Sequence, residues 1–382
     1  MSRWATVLLL PLVAAVTCVS AGSRSGPVPG SLSRAPYDAP PASAATIPIR
    51  LDLRAAREIL ATLSRDRFDP AEAKSLEALP AIGAAIRDSQ RPAEVFERDL
   101  AAAFEEQSRV AVFDFRKIRE ERSSWEEMLA AIGSREAELT RSAASRALAL
   151  LPADLRVSVP VEIDLTFGLP GREDHLVLPD AEGGGRRVVV DLARALSDVH
   201  GSPAPEQLQH LSRLMAGEAY QPAWAVYRAG SAAWQKRDPA LGPLEPLLRA
   251  GAEVGPSALY TVNENFFPMS VWLKEPMKAS IDEFNRVAER LASAEGDLDQ
   301  RVQLAAEVRR PEFASRVAGP AGAFFADGIT QTLGIDAYRT TLSGGPRAFY
   351  EAYDRAAVQK KRELIPLAKV IRDRLSTAAP AR

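Results

Sequence analysis

A chain of 382 residues with 46% hydrophobic content is long enough for one large or two modest domains with a substantial buried core. Its formal net charge is −2, and acidic and basic residues are interspersed without a dense basic stripe that carries aromatics, which sets nucleic acid aside as a partner. The single cysteine, Cys18, excludes an intrachain disulfide and leaves the folded part no thiolate for catalysis or metal binding.

Arg3 followed by the apolar run Trp4 to Val16 reads as a secretory signal, residues 1–21, too short to span a bilayer comfortably. Two exits are open. Val19-Ser20-Ala21 has the small-residue spacing for cleavage after Ala21, whereas Ala15-Val16-Thr17-Cys18 is an imperfect lipobox that would attach Cys18 to a membrane by a lipid. Either makes the protein exported: periplasmic, secreted or anchored to the cell envelope. Residues 22–46, rich in Ser, Pro, Gly and Ala, carry too little apolar surface to offset ordering and read as a disordered tether.

From 47 to 152 the pattern is helical. Leu53, Ala56, Ile59, Leu60 and Leu63 predict a helix over about 52–64. Asp69-Pro70 is an N-cap followed by Pro at the first helical position, with a break or kink expected at Pro80. Three further helices are expected over about 92–107, 113–132 and 134–151, roughly five in all, and charged runs such as Arg116 to Arg122 read as solvated faces. The period then changes. Val157 to Phe167, His175 to Leu178 and Arg187 to Asp191 alternate as short β runs, predicting a small sheet of about three strands in which Pro160 marks an edge.

Leu208, Leu211, Leu214 and Met215 open the central helix, and Gly217-Glu218-Ala219-Tyr220-Gln221 stands where a zinc peptidase carries H-E-x-x-H. In such an enzyme two His four apart bind Zn²⁺ while the Glu acts on the metal-bound water. Here only Glu218 is present: Gly217 has no side chain and Gln221 a neutral amide. Pro222 removes an amide one turn after Glu218 and predicts a kink there. His210 lies two turns before Gly217, too far to replace it, and His175 and His200 read as surface or core residues.

These features resemble a bacterial family of gluzincin-like zinc-dependent proteases of unknown function. The resemblance rests on Leu51-Asp52-Leu53 with Ala55-Ala56, on Val188 to Leu192, on the Gly217–Gln221 motif, and on Gly322 to Asp327, Leu333-Gly334 and Gly345 to Tyr353 near the C-terminus. It implies a mainly helical α+β fold in which the small sheet leads into the active-site helix within a peptidase-like part, 153–376, before a tail at 377–382. It implies Glu218 as remnant general base, with Gly217 and Gln221 as remnant ligand positions and Glu253 as the third. Zinc belongs to the family and is expected to be absent here, since Glu218, Gln221 and Glu253 offer only oxygen donors. Trp224, Tyr260 and Phe266 are the expected cleft lining.

No G-x-S-x-G elbow or Walker loop competes with this reading, and Gly183 to Gly185 reads as a hairpin connection. Two functions follow as expectations. One is a peptidase-like protein that has lost its zinc site and binds a peptide or protein; the other is an active hydrolase with a rearranged site using Glu218 and Glu253. On the first, Glu218 is an unpaired buried carboxylate and Glu218→Gln should be nearly silent.

Overall fold

The hydrophobic restart after the tether forms a strand, Ile49–Asp52 (β1), before the first helix, Arg54–Leu63 (α1). β1 pairs in parallel with Val161–Thr166 (β2), Ile49 opposite Val161. β2 pairs in parallel with Arg186–Asp191 (β4), and β4 pairs antiparallel with His175–Leu178 (β3), giving the order β1-β2-β4-β3. Among the described residues the sheet therefore has four strands rather than three. β1 is too short to show a period of two, and only its pairing identifies it. The computed structural model describes residues 45–105, 111–156, 158–171, 174–178, 186–261, 275–361 and 363–377, all within the compact unit Tyr37–Arg382.

Pro160 does not mark an edge. β2 is paired on both sides and begins at Val161, so the missing N–H falls just outside the ladder, while the Pro160 carbonyl accepts from the Arg186 N–H at 3.1 Å. The parts read as 47–152 and 153–376 each contribute to this sheet and share one continuous core.

Between β1 and β2 run Pro70–Glu77 (α2), Pro80–Asp88 (α3), Ala93–Ala102 (α4), Arg116–Glu120 (α5), Arg122–Ser134 (α6) and Glu136–Ala149 (α7). Asp69 caps α2 through Ala71 N–H at 2.9 Å, and the chain breaks before Pro80 as its ring requires. The helix expected over 113–132 is two helices, interrupted at Glu121.

After β4, Asp191 caps the short Leu192–Ala195 (α8) and the chain enters Ala204–Gly230 (α9), which carries the G-E-x-x-Q motif. α9 runs through Pro222 without a break. The lost hydrogen bond is local, and the helix lies against α7 and Glu245–Thr261 (α11). Ala232–Gln235 (α10) precedes α11. Glu275–Ser293 (α12), Leu298–Val308 (α13), Pro311–Phe313 (α14), Gly319–Leu333 (α15), Ile335–Ser343 (α16), Gly345–Gln359 (α17) and Lys369–Ser376 (α18) complete the fold. The mainly helical α+β architecture is the one expected.

α11 and α15 approach backbone to backbone. A Cβ on Gly255 would stand 2.2 Å from the carbonyl carbon of Gly322, and one on Gly322 would stand 2.1 Å from the Gly251 oxygen, so only glycine fits at this crossing. Beside it Phe325 packs on Tyr353, Tyr350 and Phe284 with ring centroids 4.5, 5.7 and 5.4 Å away, all four rings buried. α11, held this way from behind, presents its other side to α9.

Candidate functional site

Glu218 is buried on α9, and its environment comes from the β3–β4 hairpin. Alternation places Arg186, Val188 and Val190 on one face of β4, and the antiparallel register sets His175 opposite Val190 on that same face. An arginine on a face otherwise occupied by buried valines needs an anionic partner. Glu218 is that partner. Its Oε2 accepts from Arg186 Nε at 3.1 Å and Nη2 at 2.7 Å, while its Oε1 lies 3.6 Å from His175 Nε2. The other imidazole nitrogen, Nδ1, is 2.8 Å from Asp174 Oδ1. Asp174, His175, Glu218 and Arg186 thus form one chain of polar contacts across the hairpin and the helix, alternating in charge when the imidazole is protonated.

The electrostatics follow from these contacts. The Asp174 hydrogen bond, assisted by the charge on Glu218, pushes the His175 imidazole above its ordinary value against the effect of burial, and the same hydrogen bond holds Asp174 below the usual carboxylate range. His210 moves the other way, lowered first by burial and then by Arg213.

The chain borders a cavity of about 850 Å³ whose walls come from α5 and α6, the hairpin, the segment from Asp191 to His200, α9 and α11. All three histidines of the sequence line it. At its far end His200 stacks on Trp125, centroids 4.8 Å apart, with its Nε2 3.0 Å from Glu121 Oε2. Asp191 forms part of the wall while its Oδ2 accepts from Leu169 N–H at 2.8 Å; burial pushes its carboxyl up.

Of the residues singled out in the sequence, Gly217, Glu218 and Gln221 line this cavity together. Glu253 does not join them. Its Oε1 is 2.9 Å from Arg228 Nη1, and the residue that α11 presents to the cavity is Ser257, one turn later, whose hydroxyl donates to the Val254 carbonyl at 2.9 Å. Trp224 is core rather than cleft lining: it is buried edge-on against Trp234 at 4.8 Å, and its Nε1–H donates to the Glu253 carbonyl at 2.9 Å. The Tyr260 side chain, Phe266, Cys18 and the hairpin connection at 183–185 lie outside the described residues.

No protein-family model, curated protein or solved structure matches the chain.

Zinc favours imidazole and thiolate donors, and the motif positions Gly217, Glu218 and Gln221 supply neither. At the positions of the motif Gly217 offers no donor and Gln221 an amide, Ser257 on α11 adds a hydroxyl, and the Glu218 carboxylate is already bonded to a guanidinium. Among the described residues no three His, Cys, Asp or Glu side chains converge as a metal site. Sequence reasoning missed Arg186, the Asp174–His175 pair and Ser257. The alternation Arg186, Val188, Val190 was a usable signal, since a charge in register with buried valines calls for a buried counter-charge.

Proposed function

We propose that the protein is an exported, zinc-peptidase-like scaffold without a zinc site, which binds a peptide or a segment of a protein beside Glu218 instead of cleaving it. The observation that carries this reading is the Arg186–Glu218 pair. The surviving element of the H-E-x-x-H pattern spends one oxygen on two hydrogen bonds from a strand-anchored arginine, so that oxygen is not free to take a proton from water. The cavity that remains has the size of small-ligand sites and presents polar side chains to a bound backbone. β3, at the edge of the sheet, reaches the same cavity through His175, which suits an extended ligand. Among the described residues no helix is long and apolar enough to cross a membrane. In this reading the signal segment exports the chain and a lipid on Cys18 is one route of attachment to the envelope.

The test is to incubate the purified protein with casein and a peptide mixture, with and without zinc or chelator. We expect no chelator-sensitive cleavage, and retention of peptides that is lost when Gly217→Phe fills the cavity. Chelator-sensitive cleavage that disappears in Glu218→Gln would overturn the proposal.

A second reading has one observation in its favour, the Asp174–His175 pair, in which Asp174 orients the imidazole of a residue that lines the cavity. It replaces the Glu218 and Glu253 site, because Glu253 is committed to Arg228. Hydrolysis that is insensitive to chelator and lost in His175→Ala would favour this metal-free hydrolase.

A further inference from the structure

A second groove, of about 470 Å³, lies on another part of the surface, between α13 and the turn Pro239–Leu244 that leads into α11. α13 is apolar on two sides. Leu304 and Val308 face the core and are buried, while Leu298 and Val302, one helical turn apart, are 64% and 61% exposed and line the groove. A helix anchored by one apolar face with a second left in water is an arrangement that a partner would complete.

The charges around this ridge define the partner. Arg237, Arg301 and Arg309 line the groove, and among the described residues none of them is ion-paired. The two acids in its walls are committed elsewhere: Asp238 to Arg347 at 2.6 Å and Glu245 to Arg249 at 2.6 Å. The local charge is therefore positive on a chain whose formal net charge is −2. In addition, the Nε–H of Arg301 is shut off from water with no acceptor, which leaves a buried donor unspent. Guanidinium forks match carboxylates two bonds at a time, and a concave trough with proline walls receives inserted side chains rather than a flat bilayer.

We propose that this groove docks an acidic segment of a partner protein, one that lays two aliphatic side chains against Leu298 and Val302 and sets Asp or Glu carboxylates on Arg301, Arg309 and Arg237. The site is separate from the Glu218 cavity and does not depend on what that cavity binds.

The probe is a fluorescein-labelled helical peptide carrying two leucines one turn apart flanked by glutamates, titrated against the purified protein by fluorescence anisotropy. Controls replace its glutamates by lysines or its leucines by serines, and vesicles rich in phosphatidylglycerol are assayed by sedimentation. We expect the acidic peptide alone to bind, and to weaken about tenfold or more in the double variant Arg301→Glu/Arg309→Glu and on raising the salt. Leu298→Ser/Val302→Ser should weaken it as well. Arg309 and the apolar pair are exposed and Arg301 is half-buried, so melting temperatures are measured for every variant, and Arg309→Glu alone serves if the double variant melts lower. Absence of binding, equal binding of the lysine peptide, or affinity indifferent to the arginine reversals overturns the proposal. Vesicle binding abolished by those reversals, without peptide binding, reassigns the groove to an anionic membrane.

Discussion

The crossing of α11 and α15 and the cavity between α9 and the β3–β4 hairpin are two ways of joining elements in one chain. At the crossing Gly251, Gly255 and Gly322 let backbones touch beside a buried aromatic layer, with no atom to spare. At the cavity the elements stand apart, and side chains of opposite charge span the space from Asp174 to Arg186. Close packing tolerates little change in volume, whereas a polar cavity tolerates substitution as long as charges remain partnered. Stability is concentrated at the first place, and the freedom to bind something belongs to the second.

The largest effect is expected where packing is tightest. Gly255→Ala adds a Cβ that would sit 2.2 Å from the Gly322 backbone and should cost about 3 kcal/mol or more, read as a fall in melting temperature. Gln221→Ala on the cavity wall should cost less than about 1 kcal/mol. Equal effects would break the comparison.

Asp327 tests the dry side further. It is buried on α15, and burial pushes its carboxyl up to about 7, opposed only by a hydrogen bond from Gln331. An unfolded Asp titrates near 3.8, so between that value and about 7 unfolding releases a proton. Stability therefore falls as pH rises through this window and stays low above it. Asp327→Asn should stabilise the protein by about 2 kcal/mol at pH 8 and by little near pH 4, measured by denaturant melts at both values.

The polar side should answer to pairing rather than volume. Glu218 is not the unpaired carboxylate expected from sequence, so Glu218→Gln is not silent: it strands Arg186 and should cost about 1 to 2 kcal/mol, less than for a fully enclosed pair because Arg186 keeps some contact with solvent. Glu218→Gln combined with Arg186→Gln should recover part of that loss, and simple additivity in this double-mutant cycle would remove the coupling inferred from their contact.

The smallest effect concerns His175. Its raised value means that the stability from Asp174 and Glu218 is fully present below 6.5 and fades as pH rises through the higher folded value. Proton NMR should find His175 titrating above His210, and Asp174→Asn should bring His175 down. His175 titrating at or below His210 would contradict the pairing.

Much of the fold was legible in the chain because helical periodicity and capping are local. Asp69-Pro70 marked the start of α2, and Leu53 to Leu63 marked α1 almost to the residue. β1 and the central place of β2 were not legible, because four residues show no period and pairing partners lie over a hundred positions apart. At the site, Gly217, Glu218 and Gln221 came together as their spacing on one helix required. Glu253 did not, because which turn of α11 meets the cavity depends on how that helix is rotated, and the glycine contact with α15 helps set that rotation. Trp224, on α9 itself, did not either, because its ring is taken up by the packing against Trp234 and the Glu253 carbonyl.

The sequence by itself determined where several helices run, α1, α2 and α9 among them, and that the motif on α9 keeps a glutamate but neither imidazole, since both depend on residues within a turn or two of one another. The tertiary structure decided what that glutamate faces. Arg186 is thirty-two positions away on a strand, and His175 and Ser257 come from two other elements, so no local pattern could bring them to Glu218. A buried charge must be neutralised by whatever the fold places beside it, and only the assembled chain specifies that neighbour.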